Sequence, residues 1–84
     1  MLYYLIICRS LTYAQRTAII LERAGITARI LRAPRGLVEE GCSHAVKVSE
    51  RSLSPALSVL GRTDLKPKRI FVMTADGTYS EVET

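Results

Sequence analysis

Apolar residues fill positions 2–8 without interruption, and Tyr and Ile, which favour extended structure, dominate the run. The run predicts a strand with two apolar faces, so we expect it to lie in the middle of its sheet. A helix is predicted next, because apolar residues recur at helical spacing. Ser10 or Thr12 can cap its start, and Gly25 ends it. Its predicted apolar stripe consists of Leu11, Ala14, Ala18 and Leu21, widened by Ile20 and Ala24.

The rest of the pattern predicts three or four further strands and one more helix. Asp76-Gly77 is a strong hairpin signal, and Pro55 has to lie in the first turn of the second helix. The predicted elements are a strand at 28–32, a loop at 33–42, a strand at 43–48, a helix at 49–60, a strand at 69–74 and an edge strand at 78–82. Within the third strand, one face carries His44, Val46 and Val48. The face of the second helix that meets the sheet is predicted to carry Leu53, Leu57 and Leu60.

This order of elements, strand–helix–strand–strand–helix–strand, is that of the split βαβ, or ferredoxin-like, α+β fold. Right-handed crossovers make the first and third strands the central, antiparallel pair. We expect residues 1–84 to form a single domain of this kind, with both helices on one face of the sheet. Because the first strand is apolar on both faces, the uncovered face would be an apolar patch, which suggests a homodimer contact.

Composition narrows the chemistry that the chain can support. A hydrophobic fraction of 48% and a charged fraction of 24% are those of a globular protein, which argues against disorder. Two cysteines are too few for a disulfide scaffold, and one histidine excludes a histidine-rich metal site within one chain. We therefore expect no cofactor and no metal. The apolar run at 2–8 is far shorter than the ~20 residues of a membrane span and lacks the features of a signal peptide, so we expect a cytoplasmic protein without a membrane segment.

The net charge of +4 permits an anionic partner without indicating one. Nucleic-acid binding is disfavoured, because the basic residues form no run, the chain has few aromatic residues and no base-reading motif is present. The simpler interpretation of the net positive charge is an ordinary charged surface.

The topology predicts that both cysteines lie at one end of the sheet, together with the start of the first helix. Cys8 ends the first strand and Cys42 precedes the third, its neighbour. Arg9, Arg35 and a helix N-terminus lower a thiol pKa, whereas the neighbouring acidic residues raise it, and the sequence leaves this balance open. Those acidic residues are Glu39 and Glu40.

Each of these reactive residues also has a structural interpretation. Cys8 has the pattern of a buried cysteine that acts as a small apolar residue. Cys42 lies in a polar loop rather than in an apolar run, so its pattern fits a reactive thiol and an ordinary loop cysteine equally well. His44 is either a base that assists Cys42 or a half-buried strand residue with a satisfied hydrogen bond.

One motif of the chain consists of Pro34-Arg35, six further residues, Cys42 and the stretch 45–48. With this motif the chain resembles the putative selenium/sulfur carrier protein-like family, a group of small bacterial proteins. The resemblance covers most of the chain. The chain departs from the family pattern at Ser43, where the family has glycine after its cysteine, and at His44, where the family has an apolar residue. The stretch before Cys42 is acidic rather than Ser-rich, and Cys8 has no matching residue in the family.

The resemblance implies that Cys42 carries sulfur or selenium as a persulfide or perselenide. From their positions near Cys42, Arg35 is the candidate electrostatic partner of this thiol and His44 is a weaker candidate helper. The resemblance also implies a donor, such as a cysteine desulfurase, and an acceptor protein. From the topology alone, Cys8 could form a disulfide with Cys42 and discharge the carried atom, and so act as a resolving thiol.

Two other classes of function stay open. One is a ferredoxin-like interaction or accessory module without catalysis, in which Cys42 is unreactive. The other is nucleic-acid binding, which would depend steeply on salt. A thiol–disulfide oxidoreductase is disfavoured because no Cys-x-x-Cys motif occurs.

Overall fold

The computed structural model describes residues 2–34, 36, 44–65, 67 and 69–82. Its elements are β1 (Tyr3–Cys8), α1 (Leu11–Arg23), β2 (Arg29–Arg32), β3 (His44–Ser49), a 3-10 turn (Glu50–Ser52), α2 (Leu53–Leu60), β4 (Arg69–Met73) and β5 (Tyr79–Val82). The strands form one sheet in the order β2-β3-β1-β4-β5, and every neighbouring pair is antiparallel. This is the predicted ferredoxin-like α+β fold with one added edge strand, and β1 and β3 are neighbours in the sheet as predicted.

The start and end of α1 follow from local signals in the sequence. The Ser10 side chain accepts a hydrogen bond of 3.2 Å from the Tyr13 amide, so Ser10 rather than Thr12 is the N-cap. Beyond the last helical residue, Gly25 adopts a φ of 83°, a conformation that costs glycine little. The predicted stripe is wrong at both ends, because Leu11 and Ala24 are exposed. Within the helix, Thr17 is buried beside Ala14 and Leu21.

The second helical segment is divided, where the sequence predicts one helix over 49–60. Pro55 has no amide hydrogen and lies in the first turn of α2, as predicted. Ser52 occupies the N-cap position without bonding a backbone amide, and its hydroxyl instead accepts a 3.0 Å hydrogen bond from Ser49. Ala56 is fully buried in place of the predicted Leu57.

Side chains of the sheet alternate between two cores. The helix-facing core is built by Ile6, Cys8, Ala14, Leu21, Ile26, Val46, Val48, Ala56, Leu60 and Leu65. On the other face a smaller core is formed by Leu5, Ile7, Ala45 and Phe71. All four of these residues are buried within the chain itself. The apolar surface on which the dimer prediction depends is therefore smaller than the sequence suggests.

Charged side chains lie over aromatic rings at the margin of this second core. The Lys47 Nζ lies 4.1 Å from the centroid of the Tyr3 ring, and the Arg69 guanidinium carbon lies 5.0 Å from that of Phe71. Arg69 also donates two hydrogen bonds to Glu81 on β5, of 2.9 and 2.5 Å. These bonds hold the pKa of the Glu81 carboxyl below its ordinary value. Because both groups are exposed to solvent, the pair stabilises the edge of the sheet only slightly.

Candidate functional site at one end of the sheet

Three chemically distinct side chains form a row across the end of the sheet. His44 at the start of β3 is directly opposite Cys8 on β1 and Arg32 on β2. Residues opposed in this way point to the same face, and here that face is the one covered by the helices. β1 and β2 end at this row and β3 begins there, so the direction of each strand determines which residues meet.

Cys8 is buried, with 6% of its surface exposed, beneath the first turns of α1. Its Sγ lies 3.6 Å from the Ile6 carbonyl oxygen and 4.0 Å from the Thr17 hydroxyl, distances at which a thiol makes weak hydrogen bonds. Thr17 is itself only 3% exposed and is the buried polar residue of the described core. The helix therefore presents a hydroxyl, rather than an aliphatic group, to the sulfur.

A cleft of about 220 Å³ opens between the end of β1, the start of α1 and the segment after α2. We call it the Cys8 cleft. It is lined by Ile6, Cys8, Arg9, Tyr13, Thr17, Asp64, Leu65 and Pro67. Arg9 is fixed on one side of it, since its guanidinium carbon lies 5.0 Å from the centroid of the Tyr13 ring.

Asp64 borders the Cys8 cleft from the segment that follows α2. The residues on either side of it are held firmly. The Thr63 hydroxyl donates to the Leu60 carbonyl at 2.9 Å and accepts from the Leu65 amide at 3.0 Å. Leu65 is buried in the helix-facing core. The backbone that carries Asp64 is thus fixed by hydrogen bonds and by an apolar anchor.

The structure describes some of the site residues predicted from sequence and not others. Cys8 and His44 are cross-strand partners, and Arg9 lines the cleft beside Cys8. Arg35 and Cys42 lie outside the described residues, as do the acidic residues that precede Cys42. Their geometry, and the predicted proximity of the two cysteines, stay predictions.

Sequence reasoning missed Tyr13, Thr17 and Asp64 as members of this cleft. A signal for Thr17 was present, because 14, 17 and 21 follow helical spacing and point to one buried face. Asp64 had no such signal, since it reaches the cleft only through the packing of the segment around it. In the described part of the chain, no group of three or more His, Cys, Asp and Glu side chains could hold a metal ion. None of the described helices is long and apolar enough to cross a membrane.

A family model described as "Putative Se/S carrier protein-like" matches residues 3–72. The chain belongs to this family. The matched region runs from the start of β1 into β4, so it includes both helices and the four strands of the ferredoxin-like core. Searches of curated proteins and of solved structures give no significant match. Family membership supports a carrier-like role for the chain.

Proposed function

We propose that this chain is a sulfur or selenium carrier that holds the transferred atom on Cys42 and passes it to a partner protein. The observation that supports the proposal is the family match, which spans residues 3–72 and so includes position 42. The role requires no bound cofactor, only one thiol that ionises near neutral pH. The partners are a donor, such as a cysteine desulfurase, and an acceptor protein.

Loading is a sulfur transfer between two thiol groups. The Cys42 thiolate attacks the terminal sulfur of a donor persulfide, a bond forms between the two sulfurs, and the donor's own S–S bond breaks. The donor leaves as a thiolate, so no external oxidant or reductant is consumed. An acceptor nucleophile then attacks the terminal sulfur and leaves Cys42 as a thiolate again.

The described end of the sheet offers groups that suit this chemistry. Cys42 precedes His44 by two positions, and two residues of chain span at most about 7 Å. His44 opposes Cys8 in the sheet. In the proposal Arg35 favours the Cys42 thiolate, His44 assists by accepting a proton, and Cys8 resolves the loaded state. Cys8 would attack Cys42 Sγ, form a disulfide and release hydrosulfide, after which a cellular thiol would reduce the disulfide.

Intact-mass spectrometry tests the proposal. The purified chain is incubated with a cysteine desulfurase and cysteine, and we expect an adduct of about 32 Da, the mass of one sulfur atom. The Cys42→Ser variant should carry no adduct. The Cys8→Ser variant is the matched control and should keep the adduct, because it removes a thiol without removing the carrier. An absent adduct, or one that survives in Cys42→Ser, would contradict carriage on Cys42 and favour the non-catalytic interaction module.

Two further parts of the proposal concern the setting of the protein. A thiol carrier needs a reducing compartment, which agrees with a cytoplasmic location. A homodimer through the sheet face opposite the helices would bring two carrier sites into one particle.

A further inference from the structure

The Cys8 cleft combines a small volume with groups of opposite charge. At about 220 Å³ it is smaller than the ~300–1,000 Å³ of sites for drug-sized ligands, so it suits a molecule of few heavy atoms. Its lining includes one cation, Arg9, and one anion, Asp64. These residues come from different segments of the chain, one before α1 and the other after α2.

Arg9 and Asp64 do not neutralise each other. Among residues that the structure describes, the ion pair found is Arg69–Glu81, on the far side of the sheet. Both residues at the cleft are exposed. The Arg9 guanidinium lies over the face of the Tyr13 ring. In this position the guanidinium keeps its N–H groups as donors for a carboxylate. Asp64 in turn can accept from an ammonium group.

The inner wall of the cleft differs in character from its rim. Ile6, Cys8 and Leu65 are buried there and present aliphatic carbon and sulfur, and the Thr17 hydroxyl lies beside the sulfur. Sulfur is soft and polarisable, so this wall suits a short apolar or sulfur-bearing group. The α1 N-terminus, which lies at the same end, adds partial positive charge on the side of Arg9.

We propose that the Cys8 cleft binds a free α-amino acid with a small sulfur-bearing side chain, of which cysteine is the simplest. Arg9 holds the carboxylate, Asp64 holds the ammonium group, and the side chain lies against Cys8 and Leu65. Recognition of the zwitterion follows from the cleft alone, whereas the choice of a sulfur-bearing side chain also rests on the proposed carrier function. The binding requires no covalent step.

Amide NMR titration of the full chain under reducing conditions tests this binding. L-cysteine should shift the amide signals of Cys8, Arg9, Tyr13, Thr17 and Leu65. Cysteamine lacks the carboxylate and 3-mercaptopropionate lacks the ammonium group, so each should bind at least about tenfold more weakly, a typical effect of one lost charged hydrogen bond. L-serine should bind more weakly than L-cysteine. Equal affinity for cysteine and the two truncated compounds would overturn the zwitterion site, and equal affinity for serine would overturn the sulfur preference.

Charge-removing variants assign the roles of the two rim residues. Arg9→Gln should weaken L-cysteine binding at least about fivefold and abolish discrimination against cysteamine, because the carboxylate has then lost its partner. Asp64→Asn should do the same for 3-mercaptopropionate. Arg62→Gln is the matched control, since Arg62 is an exposed arginine outside the cleft lining, and it should bind as the parent chain does. Unchanged discrimination in both rim variants would overturn the assignment.

The titration also separates this inference from the carrier proposal. We expect the Cys42→Ser variant to bind L-cysteine with the parent affinity, although it carries no sulfur adduct. If the parent chain binds L-cysteine but forms no adduct, the proposal for the cleft stands and the carrier proposal fails. If Cys42 carries an adduct but L-cysteine does not bind at the cleft, the carrier proposal stands and the proposal for the cleft fails.

Discussion

Thr17 is the buried residue whose polarity most needs an explanation. A buried hydroxyl is tolerated when it has a hydrogen-bonding partner. The partner of the Thr17 hydroxyl is the Cys8 thiol, whose sulfur lies 4.0 Å away. The hydroxyl therefore links the buried face of α1 to the polar end of the sheet. It also limits access to the Cys8 thiol from the side of the helix.

Shortening Thr17 should expose this thiol. In a Cys42→Ser background, so that one thiol is counted, Thr17→Ala should lower the free energy of unfolding by about 1–2 kcal/mol and raise the alkylation rate of Cys8. Mass-detected alkylation kinetics and urea denaturation measure the two effects. Thr12→Ala, an exposed change in the same helix, should alter neither. A parent chain whose Cys8 is alkylated as fast as a small-molecule thiol would contradict the burial argument.

At the scale of elements, the β4–β5 hairpin is held by its turn. The Gly77 amide donates to the Thr74 carbonyl at 3.0 Å, and Gly77 has a φ of 85°. The hydroxyls of Thr74 and Thr78 donate to the Asp76 carboxylate, which lowers the pKa of that carboxyl. The turn thus consists of one left-handed glycine and a short network of side-chain hydrogen bonds.

Replacing Gly77 should destabilise the protein through backbone strain alone. A Cβ at this position would meet no atom within 4 Å, so the expected loss of about 1–2 kcal/mol for Gly77→Ala comes from the left-handed conformation. Gly77→Asn should cost less, because asparagine tolerates this conformation better. Urea denaturation measures both variants. Equal losses for alanine and asparagine would show that something other than φ determines the cost.

The elements also show which parts of the fold and site are predictable from sequence. Asp76-Gly77 and Gly25 act through bonds between near neighbours, so the sequence alone predicts them, and it narrows the cap of α1 to Ser10 or Thr12. The split of the second helix and the burial of Ala56 depend on how that helix meets the sheet, which no local pattern encodes. The cleft is still harder to predict, because Arg9 and Asp64 line the same cleft only after α1 and α2 have both packed.

At the scale of the whole molecule, the exposed apolar side chains bear on self-association. Of the described large apolar side chains, those exposed are Leu11, Ile19 and Ile30, on α1 and β2. On the sheet face opposite the helices, the described apolar side chains that stay half-buried are Leu31 and Ala33 at one edge and a row made by Tyr3, Met73 and Tyr79. A second copy that docks there would bury little apolar area, so we expect a weak dimer.

Light scattering over a range of concentrations measures this dimer. The mass should rise from 9.3 kDa towards twice that value as concentration increases. Met73→Lys should keep the mass at that of one chain, because it places a charge in the half-buried row. Ile19→Lys, on the opposite side of the molecule, should leave the dimer intact. A mass of one chain at every concentration would remove the homodimer from the proposed function.

The central position of β1 also has a consequence for biosynthesis. β1 is the first strand of the described chain, yet its sheet neighbours are β3 and β4, both distant in sequence. Pairing between distant segments closes long loops and makes folding slow relative to helical proteins of this size. During translation β3 can cover one edge of this apolar strand as soon as it has emerged, but the other edge stays open until β4 has left the ribosome. The nascent chain is therefore exposed to aggregation until β4 has paired with β1.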